Sequence, residues 1–143
     1  GNPGPGGYGA VLIYGNHRKE LSEGYRYTTN NRMELLAIIV ALEALKKPNL
    51  EVHVYTDSQY VKRAVMERWV FAWQKKGFKG KKNADLWRRF LPLYKQHRIQ
   101  LHWVKGHAGI PENERCDELA TTAARTSPFQ IDEEYEKEVG YNA

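Results

Sequence analysis

The sequence predicts an α/β fold that begins with an antiparallel pair of strands and continues with parallel strands and flanking helices. Its 143 residues suffice for one domain with a buried core. Segments rich in β-branched and aromatic residues alternate with segments of helical periodicity. Two consecutive strands come first, and each later strand follows a helix, which usually places it parallel to its neighbour. We therefore expect a mixed sheet, an antiparallel meander plus parallel strands, flanked by helices.

The first quarter of the chain predicts the antiparallel meander. Residues 1–7 are rich in Gly and Pro and predict a turn. Residues 8–14, YGAVLIY, have the composition of a buried strand. Residues 19–27 alternate loosely and pair most simply as the next strand, with Gly24 as a candidate bulge.

The next segment predicts a helix that leads into a parallel strand. Apolar residues recur at helical spacing over residues 32–46, and Pro48 ends that helix. Residues 51–56, EVHVYT, read as a strand, which places Asp57 at its C-terminal end. Residues 58–66 read as a short helix.

The second half of the chain adds two helices and one more strand. We expect a helix over residues 85–96, a strand over 98–104 and a loop over 105–111. Residues 112–125 form an acidic-first, basic-last helix, which suits the helix dipole. The polar, acidic tail, residues 126–143, predicts partial disorder, so the domain is expected to cover residues 1–125.

Composition favours a nucleic-acid partner over a membrane. The net charge is +5, and residues 68–82 interleave aromatic and basic side chains without an acid. No apolar stretch approaches the roughly 20 residues of a membrane span. The one cysteine, Cys116, cannot form an intrachain disulfide, which fits a reducing cytoplasm.

Three carboxylates on three predicted elements form the candidate metal site. Taken alone, Glu34 could complement a helix dipole, Asp57 could cap a helix, and Asp117 could belong to a solvated acidic face. Together they suggest a site for phosphate chemistry, because Mg²⁺ prefers oxygen ligands and keeps several waters. A further candidate is His107, which lies in a Gly-flanked loop before Asp117. Taken alone, it could be an ordinary surface residue.

The strings around these residues resemble the bacterial type 1 ribonuclease H family over residues 1–125. They read GNPGPGGYGA, TTNNRMEL, TDSQYV, ADLW, WVKGHAG and PENERCDELA, in that order. The resemblance implies an endonuclease that hydrolyses the RNA strand of RNA–DNA hybrids and leaves 5′-phosphate and 3′-hydroxyl ends. It implies two Mg²⁺ ions, with Mn²⁺ as a substitute, held by Glu34, Asp57 and Asp117. His107 would act as an auxiliary proton shuttle.

The resemblance also implies the residues that contact the hybrid. Side-chain amides can both donate to and accept from a 2′-hydroxyl, and the candidate RNA-strand contacts are Asn2, Asn30, Asn31 and Gln59. Thr29 and Asn83 match positions that hold a DNA-strand phosphate. The basic aromatic segment matches a protruding handle that grips the hybrid, although its tryptophans could equally pack in a helix. The handle candidates are Trp69, Trp73, Lys75, Lys76, Lys79, Lys81 and Lys82.

One feature of the family has no counterpart in the sequence. Members carry a strand ending in D-G-S or D-G-A ahead of the GNPG string, and its aspartate bridges the two ions. We expect such a strand upstream of Gly1, and we expect the 143 residues alone to be unstable and inactive. The alternative is a non-catalytic hybrid-binding module that lacks one ligand. We further expect a monomer.

Overall fold

The computed structural model describes residues 2–142, and the predicted α/β class is confirmed over them. The elements are β1 (Gly4–Tyr14), β2 (His17–Thr28), α1 (Asn30–Glu43), β3 (Glu51–Thr56), α2 (Gln59–Met66), α3 (Trp69–Lys75), α4 (Ala84–Gln96), β4 (Arg98–Trp103), α5 (Pro111–Ala123) and α6 (Glu133–Val139). Four of the helices and all four strands have counterparts in the sequence predictions, with small shifts at their ends.

The first two strands form the predicted antiparallel hairpin, in register from Gly6 opposite Tyr25 to Tyr14 opposite His17. The hairpin is longer than expected, because β1 already begins at Gly4, inside the segment predicted as a turn. The bulge prediction at Gly24 is wrong: the irregularity lies between Gly4 and Gly6, and Gly24 pairs in regular register.

Glycines on the hairpin allow helix α5 to pack directly against the strand backbone. A Cβ on Gly7 would lie 2.6 Å from the Ala120 carbonyl oxygen, and a Cβ on Gly9 would overlap the Cys116 carbonyl. Gly24 likewise faces the carbonyl of Ala123. The glycines therefore set the close approach of α5 to the hairpin, and with it the position of Asp117.

Helix α1 is the centre of the core. Thr29 caps it, accepting from the Arg32 backbone N–H, so the helix begins at Asn30, two residues before the predicted start. It ends at Glu43, earlier than the predicted Lys46. Its buried apolar side chains pack with those of α2 and α4; they are Met33, Leu35, Leu36, Ile38, Ile39 and Leu42 from α1, and Val61, Ala64, Val65, Leu86, Trp87, Phe90 and Leu91 from the other two helices.

The two later strands pair in parallel, as predicted, from Glu51 opposite Arg98 to Thr56 opposite Trp103. Within residues 2–142 the strands form two separate two-stranded sheets, β1–β2 and β3–β4. Both β1 and β3 line a cavity of about 600 Å³, whose other walls come from α1 and α5. Each of these strands therefore has one edge without a strand partner in the described chain, and the cavity separates the two sheets.

The polar tail after Arg125, for which partial disorder was predicted, carries helix α6 in the structure. Glu136 accepts two hydrogen bonds from the guanidinium of Arg26, at 2.9 and 2.7 Å. The Tyr141 ring stacks on Tyr27, with centroids 4.2 Å apart. These contacts attach the tail to strand β2. None of the helices described is both long and apolar enough to cross a membrane.

Candidate active site

The three predicted carboxylates come from three elements and line one cavity. Glu34 lies in the second turn of α1, Asp57 directly follows β3, and Asp117 lies in the middle of α5. All three are half-buried and face the cavity between the two sheets. The fold therefore brings together three acidic groups, of which Glu34 and Asp117 are 83 residues apart in the sequence.

The charges of these carboxylates act on one another. Burial raises the pKa of Glu34 above its ordinary value, a hydrogen bond with Ser58 lowers it in part, and the charges of Asp57 and Asp117 raise it further. Burial and the charge of Asp57 likewise raise the pKa of Asp117, against a smaller opposing effect of His107. Like charges that act on one another favour proton uptake unless a cation compensates them. The cluster therefore has the electrostatics of a cation site.

The donor chemistry fits Mg²⁺, but the set of ligands is open. Carboxylate oxygens from separate elements suit a hard cation that retains several waters. Among residues 2–142, no three His, Cys, Asp or Glu side chains are close enough together to hold one ion. Glu34, Asp57 and Asp117 thus surround a shared space without converging on a single point. A further ligand would complete the set.

Asp57 is positioned by groups that sequence reasoning missed. Ser58, not Asp57, caps α2: its hydroxyl accepts from the Val61 backbone N–H at 3.1 Å. The Asp57 carboxylate accepts from the Asn113 amide at 3.4 Å, and its carbonyl accepts from the Trp103 indole at 3.2 Å. Because Ser58 supplies the N-cap of α2, the Asp57 carboxylate is not used to cap that helix.

Asn113 could have been found from the sequence. It lies four residues before Asp117 in α5, which places both side chains on one helix face. Gly106 is a second missed position, because a Cβ there would lie 3.0 Å from Oδ2 of Asp57. The glycine lets the loop after β4 pass next to the carboxylate.

His107 lies in that same loop. It is exposed and has a left-handed backbone, with a φ of 58°, between turns at Gly106 and Gly109. Its imidazole is therefore open to solvent, in the loop that passes next to the Asp57 carboxylate. The electrostatic effect of His107 lowers the pKa of Asp117, against the larger effect of burial.

The candidate amides lie at the N-termini of two helices that flank Glu34 and Asp57. Asn30 and Asn31 open α1, and Gln59 opens α2; all are exposed. The side-chain oxygen of Asn2 accepts from the Asn30 backbone N–H at 3.1 Å, which brings the start of the chain to the same place. The exposed amides therefore lie at the helix ends that adjoin Glu34 and Asp57 in the chain.

The candidate phosphate contacts are joined through one buried arginine. Thr29 caps α1 through the Arg32 backbone, and the Arg32 guanidinium lies 3.4 Å from Oδ1 of Asn83. Asn83 precedes α4 with a left-handed backbone, φ 64°, and donates to the Tyr60 hydroxyl at 3.1 Å. Thr29 and Asn83, which are far apart in the sequence, are thus both held by contacts with the buried residue Arg32.

The handle segment divides into a packed half and an exposed half. Trp73 packs edge-on against the core residue Trp87, with centroids 6.3 Å apart, whereas Trp69 is 43% exposed. Phe78 is buried under the turns that follow α3. The five lysines of the segment are all exposed: Lys75, Lys76, Lys79, Lys81 and Lys82. The handle therefore presents positive charge to solvent, while Trp73 and Phe78 pack beneath it.

Comparison with known proteins gives a consistent result. The family described as RNase H matches residues 1–125. Ribonuclease H of Citrobacter koseri is 57% identical, and the match covers 96% of this chain and 90% of the relative. Ribonuclease H of Shewanella sp. (strain ANA-3) is 54% identical over 96% of this chain and 89% of the relative. The structure of RNase H1 from the halophilic archaeon Halobacterium salinarum NRC-1 superposes with a TM-score of 0.66 at 28% identity, covering 89% of this chain and 91% of that one.

Proposed function

The chain belongs to the ribonuclease H family and is an enzyme of that type, and we propose that it hydrolyses the RNA strand of RNA–DNA hybrids to leave 5′-phosphate and 3′-hydroxyl ends. The observation that supports this chemistry best is the placement of Glu34, Asp57 and Asp117 around one cavity. The non-catalytic hybrid-binding alternative finds no support, since the relatives are named for the enzyme.

In the proposed mechanism Glu34, Asp57 and Asp117 would hold two divalent cations, Mg²⁺ or Mn²⁺. When bound, such a pair supplies activation of the attacking water and stabilisation of the leaving 3′ oxygen. Asp57 is held for this task by Asn113 and by the close passage of Gly106. His107, exposed in its loop, would carry a proton between the leaving group and solvent.

We propose that a strand ending in an aspartate lies in the cavity between the sheets. The cavity is lined by β1 and β3, whose facing edges lack strand partners within residues 2–142, and by apolar side chains of α1. An extended segment there could pair with both edges and bury its apolar side chains on α1. Its terminal carboxylate would reach the space that Glu34, Asp57 and Asp117 surround, and would supply the further ligand.

Substrate recognition would follow from the groups around the carboxylates. Asn2, Asn30, Asn31 and Gln59 would contact RNA 2′-hydroxyls, while Thr29 and Asn83 would hold a DNA phosphate. Sequence preference should be slight, because such contacts read sugar and phosphate more than base edges. We further propose a monomer in the cytoplasm, where Cys116 would stay a free thiol.

Cleavage products of a labelled hybrid test the proposed reaction. We expect the full-length protein to cut only the RNA strand, to require Mg²⁺ or Mn²⁺, and to leave ends that accept ligation without prior phosphorylation. Water attack gives such ends, whereas attack by the neighbouring 2′-hydroxyl would give a cyclic phosphate. Cyclic phosphate ends, or full cleavage in EDTA, would contradict the proposal.

The five exposed lysines of the handle are expected to bind backbone phosphates. Replacing Lys75, Lys76, Lys79, Lys81 and Lys82 with alanine should raise KM and flatten its dependence on salt, because fewer counterions are released on binding. Turnover should fall much less. KM measured between about 50 and 200 mM salt checks this. A salt slope equal to that of the unmodified protein would mean that the lysines are only a solvated surface.

A further inference from the structure

Arg32 is the most completely buried charged side chain described, with 1% of the residue exposed. Its guanidinium makes paired hydrogen bonds to two carboxylates: to Asp132 at 2.7 and 2.8 Å, and to Asp85 at 2.8 and 2.7 Å. The remaining donor meets Asn83. All five guanidinium N–H groups therefore have acceptors.

One of these carboxylates comes from the C-terminal segment. Asp132 immediately precedes α6 and also accepts from the buried hydroxyl of Thr28 at 2.8 Å. Its partner Arg32 is 100 residues away in sequence. The same segment is attached a second time through Glu136 and Arg26, which do not contact Arg32 in any hydrogen bond described. The tail thus has two separate anchors.

The other side of the arginine faces the groups proposed to bind the hybrid. Its own backbone N–H donates to the Thr29 cap, and Asn30 and Asn31 are the residues between them. Asn83 meets the guanidinium and in turn donates to Tyr60, the neighbour of Gln59. The N-termini of α1, α2 and α4 are therefore tied to one buried cation.

The charge balance of this group depends on both carboxylates. Burial opposes the charged form of Arg32, but its bonds to Asp85 and Asp132 outweigh that effect and raise its pKa. For Asp85, burial raises the pKa, but the hydrogen bonds and charge of Arg32 lower it by more, so the pKa of Asp85 lies below its ordinary value. Removing one carboxylate charge would leave a buried guanidinium with incomplete compensation. The side chain would then move toward the remaining partner or solvent.

We propose that Arg32 and Asp132 are positioning residues that fix the spacing between the RNA-strand amides and the DNA-phosphate pair, so that the C-terminal segment sets the affinity for the hybrid. This inference rests on the proposed function. Neither residue touches the carboxylate cluster in any contact described. Their loss should therefore change substrate binding and leave the chemical step largely intact.

The test is the variant Asp132→Asn in the full-length protein, which keeps the size of the side chain and removes its charge. We expect KM and the Kd for a hybrid to rise about tenfold, because roughly one hydrogen bond would be weakened at the RNA-strand amides and one at the DNA-phosphate pair. The value of kcat should stay within about twofold of that of the unmodified protein. The dependence of KM on salt should not change, because no phosphate-binding cation is lost. Thr28→Val, which removes only the hydroxyl that orients Asp132, should give a smaller shift in the same direction.

Glu136→Gln is the matched control. It weakens the second anchor of the same segment and should therefore lower the melting temperature. KM, measured well below the melting temperatures of Glu136→Gln and Asp132→Asn, should not change. An equal rise in KM for both variants would show a general structural effect and overturn the positioning role. An unchanged KM in Asp132→Asn and Thr28→Val would overturn it as well.

Failure of the proposed function has a different signature. If the unmodified protein neither binds nor cuts a hybrid, the activity itself is wrong and this inference falls with it. If the unmodified protein cuts hybrid and only the Asp132→Asn result is negative, the activity stands and the positioning role alone is rejected.

Discussion

Adding a strand that ends in D-G-S ahead of Gly1 is expected to make the 143-residue chain both more stable and more active. Within residues 2–142, the edges of β1 and β3 that border a cavity of about 600 Å³ have no strand partner, and apolar side chains of α1 line that cavity. Unpaired strand edges and an unfilled apolar cavity both favour unfolding or aggregation. An inserted strand would pair both edges and cover the walls.

The size of the gain follows from burial and from charge. A strand that fills this apolar cavity should add about 3 kcal/mol to the free energy of unfolding, which is within the range by which opening a cavity in a protein core destabilises the fold. That corresponds to a rise of roughly 10 °C in Tm for a chain of this length. Cleavage should rise about a thousandfold or more, because the aspartate supplies charge where the transition state needs it.

The matched control separates these two effects. A strand ending in N-G-S should raise the melting temperature as much as D-G-S does, yet leave cleavage near the level of the 143-residue chain. Circular dichroism melting and hybrid cleavage on the three proteins decide the outcome. Equal cleavage for all three proteins would show that the essential ligand has been misplaced.

Local sequence signals were enough for most of the fold. The strand β3 occupies the predicted residues Glu51–Thr56, because β-branched and aromatic residues bounded by breakers leave little choice. The predicted start of α1, residue 32, is two residues too late, because apolar periodicity does not mark the polar first turn that begins at Asn30. In the structure Thr29 caps the helix, and Asn30 and Asn31 lie inside it.

The structure of the tail could not be predicted from its own sequence. Asp132 and Glu136 read as members of a solvated acidic run, which is the usual meaning of such composition. Their partners, Arg32 and Arg26, lie 100 and 110 residues earlier. An ion pair between residues so far apart leaves no local pattern, so the docking of α6 appears only when the chain is folded.

The candidate site was predictable as a set of residues but not as a geometry. Each carboxylate had an ordinary structural interpretation, and the strings around all three together pointed to one family. The spacing of four residues places Asn113 on the same face of α5 as Asp117, but its contact with Asp57, like the approach of Gly106, depends on the packing of a helix and a loop onto the end of β3. The separation of the strands into two sheets is likewise a property of tertiary pairing alone.

The substitution Asp57→Asn in the full-length protein is expected to nearly abolish cleavage with little effect on binding. Asparagine keeps the volume of the side chain and can keep a contact with Asn113, so the fold of the loop should persist. It removes a negative charge from the cluster that includes Glu34 and Asp117. The loss of one such ligand removes several kcal/mol of transition-state stabilisation, which corresponds to about a thousandfold in rate.

A neighbouring acid outside the cavity provides the control. Glu118 follows Asp117 in α5, is exposed, and lies 3.4 Å from the guanidinium of Arg115. Glu118→Gln also removes one negative charge from this part of the protein. It should retain nearly full turnover, because an exposed pair of this kind contributes little.

The measurement that tests the central claim most directly is the turnover of Asp57→Asn at saturating hybrid, taken together with its Kd for the same hybrid. We predict that kcat falls by about a thousandfold while Kd stays within about threefold of that of the unmodified protein. Wild-type turnover in Asp57→Asn would contradict the assignment of the carboxylate cluster as the catalytic site.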